Sequence, residues 1–506
     1  MRKRISALPV LLLLIAFGAG GTDLNAPLPP VSAARSVGAS AQNSLALAER
    51  IKRIENGLLP PFIVKGQSGS QMRLADRMKF YHTPGVSIAV INNGRIEWAR
   101  GYGVREAGSN EAVTPETLFQ AASISKPVAA MAALRLTEEG KLNLDEDVNR
   151  KLISWKVPDN ELTREKKVTL RELLSHSAGL TVHGFEGYRA GTPLPTLVQV
   201  LDGVKPANSE PIRVDIEPGT KFRYAGGGYV VLQRLLMDVT GKQFPALMQN
   251  LVLKPLWMTR STYEQPLPKE RWPQAAAGYR ENGVRVPGDW HTYPEMAAAG
   301  LWTTPSDLAR FVVEIQKSLA GKSNRILSPE MTRQMLTPQV GGWGLGLALA
   351  GEGAAARFSH GGANEGFRCL LIGYNSTGQG AVVMTNSDGG SGLGEELLRS
   401  VAREYGWADY LPKEKTLARV DPKIYASYAG PYELAPSLLL NITAEDGRLM
   451  GQVTGQSKLE LFPESETQFF LLAAPVEITF VKDEKGHVTH LILAQDGQTI
   501  TARKVK

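Results

Sequence analysis

A strand-like stretch, Thr117 to Gln120, gives way within a few residues to an apolar run from Pro127 to Leu136, and Ser123-Ile124-Ser125-Lys126 lies at the junction. In a helix that starts near Ser123, residues i and i+3 share a face, so the Ser123 hydroxyl and the Lys126 amine would stand side by side. A serine hydroxyl is a weak nucleophile at pH 7. A neighbouring amine activates it only where burial has driven that amine towards neutrality. The N-terminus of the same helix offers unpaired N–H groups to an oxyanion. The plainer reading is an N-cap serine followed by an exposed lysine. This is the only Ser-x-x-Lys in the chain, and the remaining segments decide between the two readings.

Composition narrows the choice. A chain of 506 residues buries a large core and has room for two or three domains. Three of its basic residues, Arg2, Lys3 and Arg4, precede the apolar run Pro9 to Phe17 and the small residues Gly18 to Gly21, which is the pattern of a secretory leader too short to span a bilayer. Without them the formal charge falls from +7 to +4, too small a surplus for a nucleic-acid partner. The expected location is periplasmic or secreted, with no membrane span once the leader is cut. The sole cysteine, Cys369, lies in an apolar strand and is expected buried and inert.

A Pro, Ala and Ser-rich stretch, Asn25 to Ser40, has no apolar period and reads as linker. Leu47, Ile51, Ile54 and Leu58 then recur at helical spacing. Two strand-like runs follow, Val86 to Ile91 and Arg95 to Tyr102, joined by the hairpin pair Asn93-Gly94. Val168 to Leu180 suits a helix stopped at Gly179, with His176 near its end as a structural, hydrogen-bonded histidine. Pro218 to Tyr229 combines a turn, Tyr224 and three glycines, Gly226 to Gly228, ahead of an apolar helix, Val230 to Val239. A phenol in such a loop could relay a proton, or simply pack. Thr304 caps a helix that Pro305 begins. His360-Gly361-Gly362-Ala363 belongs with strands at Phe367 to Tyr374 and Ala381 to Asn386, and these join the Asn93-Gly94 hairpin in one antiparallel sheet covered by a helix, Leu393 to Tyr405. Bare glycines there leave backbone open to an extended substrate.

Taken together, these segments resemble the serine β-lactamase and penicillin-binding-protein superfamily, in the branch of class C β-lactamases, D-alanyl-D-alanine carboxypeptidases, D-aminopeptidases and related esterases. That family carries Ser-x-x-Lys, then Tyr-x-Asn, then Lys-Thr-Gly or a His-containing variant, in that order. Ser123 and Lys126 match the first, Tyr224 opens the second, and His360 with Gly362 matches the variant third. Leu173 to Leu180 is similar to the family's Leu-Leu-x-His-Thr-Ser-Gly-Leu. The resemblance implies an α/β (α+β) domain, an antiparallel sheet flanked by helices with an all-α subdomain. It also implies acylation of Ser123, proton transfer shared by Lys126 and Tyr224, and an oxyanion held by the N–H groups of Ser123 and Ala363. Two positions depart from the pattern: Gly226 replaces the asparagine and Gly361 the threonine. His360 replaces the lysine of class C enzymes, so a substrate carboxylate is bound less firmly.

From Ser427 the chain alternates strands with turns at Asp446-Gly447, Glu484-Lys485-Gly486 and Asp496-Gly497, which reads as a small all-β barrel-like domain and resembles the lipocalin-like modules attached to some members. The expected division is 1–22 leader, 23–43 linker, 44–410 hydrolase domain, 411–426 linker and 427–506 β domain. His487 and His490 do not form a metal pair, and no metal or organic cofactor is implied. The expected activity is hydrolysis of small esters or of D-amino-acid and peptide amides through an acyl-enzyme, with weak or no β-lactamase activity. The expected partner is that small-molecule or peptide substrate, with peptidoglycan as a further one. The alternatives are a class C-like β-lactamase or D-Ala-D-Ala carboxypeptidase, and a non-turnover penicillin- or peptidoglycan-binding sensor.

Overall fold

The computed structural model describes residues 33–66, 72–435, 438–454, 458–472, 474–495 and 498–505. The leader, the first part of the linker and the Asp496-Gly497 turn lie outside the described residues. Helix α1 (Ala33–Glu55) starts earlier than the sequence reading expects, so the second part of the expected linker is helical. Alanine recurs through that stretch, and no proline interrupts it after Pro30. Strand β1 (Phe62–Val64) and helix α2 (Leu74–Phe80) lead into the hairpin of β2 (Gly85–Asn92) and β3 (Arg95–Gly103). Asn93 and Gly94 take φ values of 52° and 65°, the two left-handed residues that a tight hairpin turn requires.

A short strand β4 (Phe119–Gln120) precedes α3 (Ser125–Glu138), and α4 (Leu170–Leu174), α5 (Leu197–Asp202), α6 (Gly226–Thr240), α7 (Phe244–Met248) and α8 (Met296–Ala299) form the helical part beside the sheet. Helix α4 ends five residues before Gly179, because His176 adopts a φ of 57° that no α-helix continues. Gly226, Gly227 and Gly228 are the first turn of α6 and not a loop ahead of it. Strand β5 (Trp302–Thr303) pairs with β4. Thr304 caps α9 (Pro305–Leu319), as its sequence predicts, by accepting from the Asp307 N–H. After α10 (Pro329–Met335) come β6 (Ala348–Ala350), β7 (Arg357–Asn364), β8 (Phe367–Tyr374) and β9 (Gly380–Thr385), then α11 (Gly390–Tyr405).

The main sheet runs β3-β2-β9-β8-β7-β6 with every neighbour antiparallel. Its two faces are covered by different helices. Gly394 of α11 abuts Leu370 and Val383, whereas Val312 of α9 abuts Gly373, three residues along β8 and so on the other face. Strands β2 and β9, neighbours inside the sheet, are buried almost throughout. The helix that follows Ser123 is equally dry: nearly every residue from Ser125 to Leu136 is buried.

Beyond α11 the chain does not run as a bare linker. Strand β10 (Lys413–Lys415) pairs in parallel with β1, Phe62 opposite Lys413 and Val64 opposite Lys415. Eight strands, from Gly430–Ala435 to Gln498–Lys504, then close into an antiparallel barrel. Its interior is filled by Tyr428, Tyr432, Phe469, Phe480 and aliphatic neighbours, with the Tyr428 and Phe480 rings stacked at 4.4 Å. Asp446-Gly447 and Gly486 turn as expected, while His487 lies in the turn ahead of its strand. The barrel is fastened through β1 and β10. Lys415, 7% exposed, reaches Glu464 at 2.7 Å and Glu477 at 3.1 Å, and the Phe62 ring meets Phe470 edge-on at 5.6 Å.

Replacing that anchoring ring tests the fastening: Phe62→Ala should destabilise the chain by about 3–5 kcal/mol, as expected for a buried aromatic. Urea unfolding of the full chain measures it, and a loss below about 1 kcal/mol would mean that the β1–β10 pair holds nothing in place.

Candidate active site

The Ser123 turn is held in an uncommon backbone conformation. Ala122, the residue before it, has a φ of 49°, a left-handed value that a non-glycine residue keeps only where its surroundings enforce it. They do so through three bonds: Ala121 N–H donates to Leu301 O (2.8 Å), Ser125 Oγ donates to Ala122 O (2.6 Å), and Ser125 Oγ accepts from Leu301 N–H (3.0 Å). Ser125 is therefore the brace of the turn. Ser123 is left half-exposed at its tip, on a single 3-10 turn that passes directly into α3.

Lys126 follows three residues later and is 2% exposed. Its Nζ donates to Ser123 Oγ at 2.9 Å and to Ala298 O at 2.8 Å. Both acceptors are neutral, and burial lowers the amine from 10.5 to about 7. That depression corresponds to roughly 5 kcal/mol against the charged form. The i, i+3 spacing seen in the sequence thus produces the contact it implied.

Tyr224 stands at the entry to α6, and its phenol interacts with the Ser123 hydroxyl, while burial, the larger effect, pushes its pKa up. The Lys126 amine lies 5.1 Å from the centre of the Tyr224 ring. Beneath that ring lies His176, stacked at 4.1 Å and 29°. Ala225 N–H donates to His176 Nδ1 at 3.2 Å, so the imidazole is neutral with its proton on Nε2, and burial together with the Lys126 charge keeps its pKa well below the usual value. His176 is thus the structural, hydrogen-bonded residue its position suggested, and the surface it supports is Tyr224. Trp343 closes the group, edge-on to His176 at 5.0 Å, to Tyr224 at 5.6 Å and to His360 at 5.4 Å. Sequence reasoning passed over Trp343, although its setting in Gly341-Gly342-Trp343-Gly344 was a signal of the same kind as the glycines around His360. Ala298 had no signal at all, since it acts through its carbonyl.

The opposite wall is β7. Asn364 and Phe367 flank a two-residue turn, and the Tyr374 N–H bonds to Gln379 O across the β8–β9 hairpin. Ladder parity then turns the N–H and C=O groups of Gly361 and Ala363 away from β8, to the edge that β6 leaves uncovered beyond Ser359. Gly362 faces the serine turn so closely that a Cβ there would lie 2.3 Å from Ala121 O, whereas a Cβ at Gly361 would meet nothing nearer than 3.9 Å. The His360 imidazole is 5% exposed, donates from Nδ1 to Gly361 O at 2.6 Å, and is lowered to about 3 by burial and by Lys126. It is a neutral wall residue and not the exposed histidine of a glycine turn. Gly226 does not leave an empty slot either. A Cβ there would lie 3.0 Å from His183 O and 3.0 Å from the Phe185 ring. Cys369 is buried as expected, its thiol donating to Gln120 O.

A cavity of about 770 Å³ opens beside Ala363, bounded by Phe185, Tyr188, Pro193, Asn364 and Arg368 among others. The structure thus brings together Ser123, Lys126, Tyr224, His360, Gly361, Gly362 and Ala363, with Gly226 behind Phe185. A half-exposed hydroxyl, a buried amine of lowered pKa and an open strand edge are the parts of a serine acyl-transfer site.

Comparison with known proteins agrees with that class. The Beta-lactamase family model matches residues 72–404, and the chain belongs to this family, whose members are generally serine hydrolases. A domain of unknown function, DUF3471, matches 414–504, the region of β10 and the barrel. The chain is 25% identical over 443 residues to a penicillin-binding protein of Bacillus subtilis (strain 168), covering 83% of this chain and 95% of that one. Among solved structures it is similar to the octameric penicillin-binding protein homologue from Pyrococcus abyssi, with a TM-score of 0.58 and 23% identity over 85% of this chain and 98% of the other. It is also similar to the D-amino acid amidase from Ochrobactrum anthropi SV3, with a TM-score of 0.55 and 22% identity over 70% and 99%.

The two glycines of β7 should respond differently to a methyl group. Gly362→Ala must push the strand from the serine turn and should slow phosphonate labelling of Ser123 at least tenfold, whereas Gly361→Ala should label within about threefold of the wild type. Mass spectrometry of the intact protein over time reads both, and equal rates would mean that the β7 approach does not set the site.

Proposed function

We propose that this chain is a serine hydrolase that forms an acyl-enzyme on Ser123 and turns over small uncharged esters or D-amino-acid and peptide amides, with weak β-lactamase activity. The observation that carries the reading is the 2.9 Å hydrogen bond from Lys126 Nζ to Ser123 Oγ in a site where the amine titrates near 7. Lys126 is the general base of acylation in this reading, because a phenol pushed upward by burial is protonated at neutral pH, while half of a pKa 7 amine is already free. The proton taken by Lys126 is passed through Tyr224 to the leaving group, so that both side chains return to their starting states, and the oxyanion is received by the Ser123 and Ala363 N–H groups. Water enters after the leaving group departs and releases the acyl chain.

Substrate preference follows from charge. His360 occupies the place where the resemblance puts a carboxylate-binding lysine, and it is neutral and shut off from solvent. Gly361 supplies no hydroxyl. A lost charge-assisted bond costs about 1.5–3 kcal/mol and a neutral one about 0.5–1.5, so an anionic β-lactam loses a few orders of magnitude in specificity. The relatives named as penicillin-binding proteins and as a D-amino acid amidase support the amide side of the range. The basic leader and apolar run support export to the periplasm or beyond, where peptidoglycan peptides are a candidate substrate; no described helix is long and apolar enough to cross a membrane.

Ser123→Ala should abolish turnover and phosphonate labelling while leaving the fold intact, and Lys126→Ala should cost about 10²- to 10⁴-fold. Because the base must be neutral, kcat/KM should climb with pH through about 7 and level off above it. An acetate ester should show a higher kcat/KM than any cephalosporin, and Gly361→Thr, for which there is room, should narrow the gap. Residual labelling in Ser123→Ala, or a cephalosporin hydrolysed faster than every ester, would refute the reading. A burst of acylation with no steady release would favour the sensor alternative.

A further inference from the structure

We infer that Phe185 sets which acyl groups the site accepts, and that the favoured substrates carry an aromatic or bulky apolar group next to the scissile carbonyl. The inference rests on Ser123 being the acylated nucleophile and goes further by naming the substrate class. Phe185 is half-buried and lines the 770 Å³ cavity beside Ala363. On its other side the ring fills the space in front of Gly226, with Cε2 3.0 Å from where a Cβ would stand. Gly226 lies two residues after Tyr224, so the ring bridges the catalytic loop and the cavity.

The segment that carries Phe185 is fixed in place. Gly226 N–H donates to His183 O at 2.9 Å and Gly227 N–H donates to Val182 O at 3.0 Å, so the first turn of α6 is capped by the chain leading to Phe185. Val182 pays for this arrangement with a φ of 65°, an outlying value for a β-branched residue. A cavity edge built this way is a preformed apolar surface. Tyr188, Pro193 and Pro206 line the same cavity and offer an acyl side chain rings and methylenes, and Glu365, Arg368 and Asp388 add charged groups to its lining. An aromatic acyl group placed in the cavity gains ring contact with Phe185 that an acetyl group, having no ring, does not make.

The test compares kcat/KM for p-nitrophenyl phenylacetate with that for p-nitrophenyl acetate. In the wild type the phenylacetyl ester should be favoured. Phe185→Ala should lower the phenylacetyl-to-acetyl ratio about tenfold and Phe185→Leu should lie between the two, within the range that a lost apolar pocket contact produces. Gly226→Ala, whose methyl presses on the ring and on the His183 carbonyl, should also lower the ratio. A ratio unchanged in both Phe185 variants, or equal in all backgrounds, overturns the inference while leaving acyl transfer standing. A wild type that turns over neither ester and is not labelled at Ser123 removes the reading on which it rests.

Discussion

The site depends on one amine that the fold keeps dry and to which it gives no counter-charge among the described residues. Lys126 is surrounded by α3, Tyr224, Tyr229 and the α8 carbonyl, and its two hydrogen-bond acceptors are a hydroxyl and a peptide oxygen. A carboxylate in either place would hold the ammonium charged and useless as a base. The cost falls on stability. At pH 6 the folded chain must bury a charge or shed a proton that the unfolded chain keeps, and this penalty fades only between about 7 and 10.5, where the unfolded lysine also deprotonates. Two neutral imidazoles, His176 and His360, share the enclosure, and the Lys126 charge is one reason both stay neutral.

One strap fastens the Ser123 turn, the Lys126 amine and β7 to one another. Within residues 298–301, Ala298 O takes the Lys126 proton donor, Ala299 O takes Asn364 Nδ2, and Leu301 braces the serine turn through both Ala121 and Ser125. The strap therefore links the Ser123 turn, Lys126 and, through Asn364, strand β7. The barrel has no part in this network: its anchors are Phe62, Lys415 and Phe470, and its interior is occupied by its own side chains. Chemistry and barrel are thus separate problems within one chain.

Residues whose chemistry is carried by side chains in a short window were legible beforehand. The contact between Ser123 and Lys126 followed from i, i+3 geometry, the Asn93-Gly94 hairpin from its turn chemistry, and α9 from Thr304 and Pro305. Long-range facts were not. The pairing of β1 with β10 joins residues some 350 positions apart and looks like a linker locally. The left-handed His176 cuts short a helix that its apolar spacing favoured, and its ring stacks on Tyr224, 48 residues further on. Nothing local to His360 and its glycines signals that Trp343, from a different loop, packs edge-on against it. The glycine at 226 reads as a missing contact, and only the fold reveals Phe185 in front of it.

The state of the Lys126 amine is the point on which the account stands or falls, and it can be observed directly by NMR titration of the lysine side chains, with Lys126 assigned by comparison with Lys126→Met. The Lys126 resonance should titrate near pH 7 and be lost in the variant. A Lys126 signal that titrates near 10.5 would contradict this, since a charged ammonium cannot take the Ser123 proton.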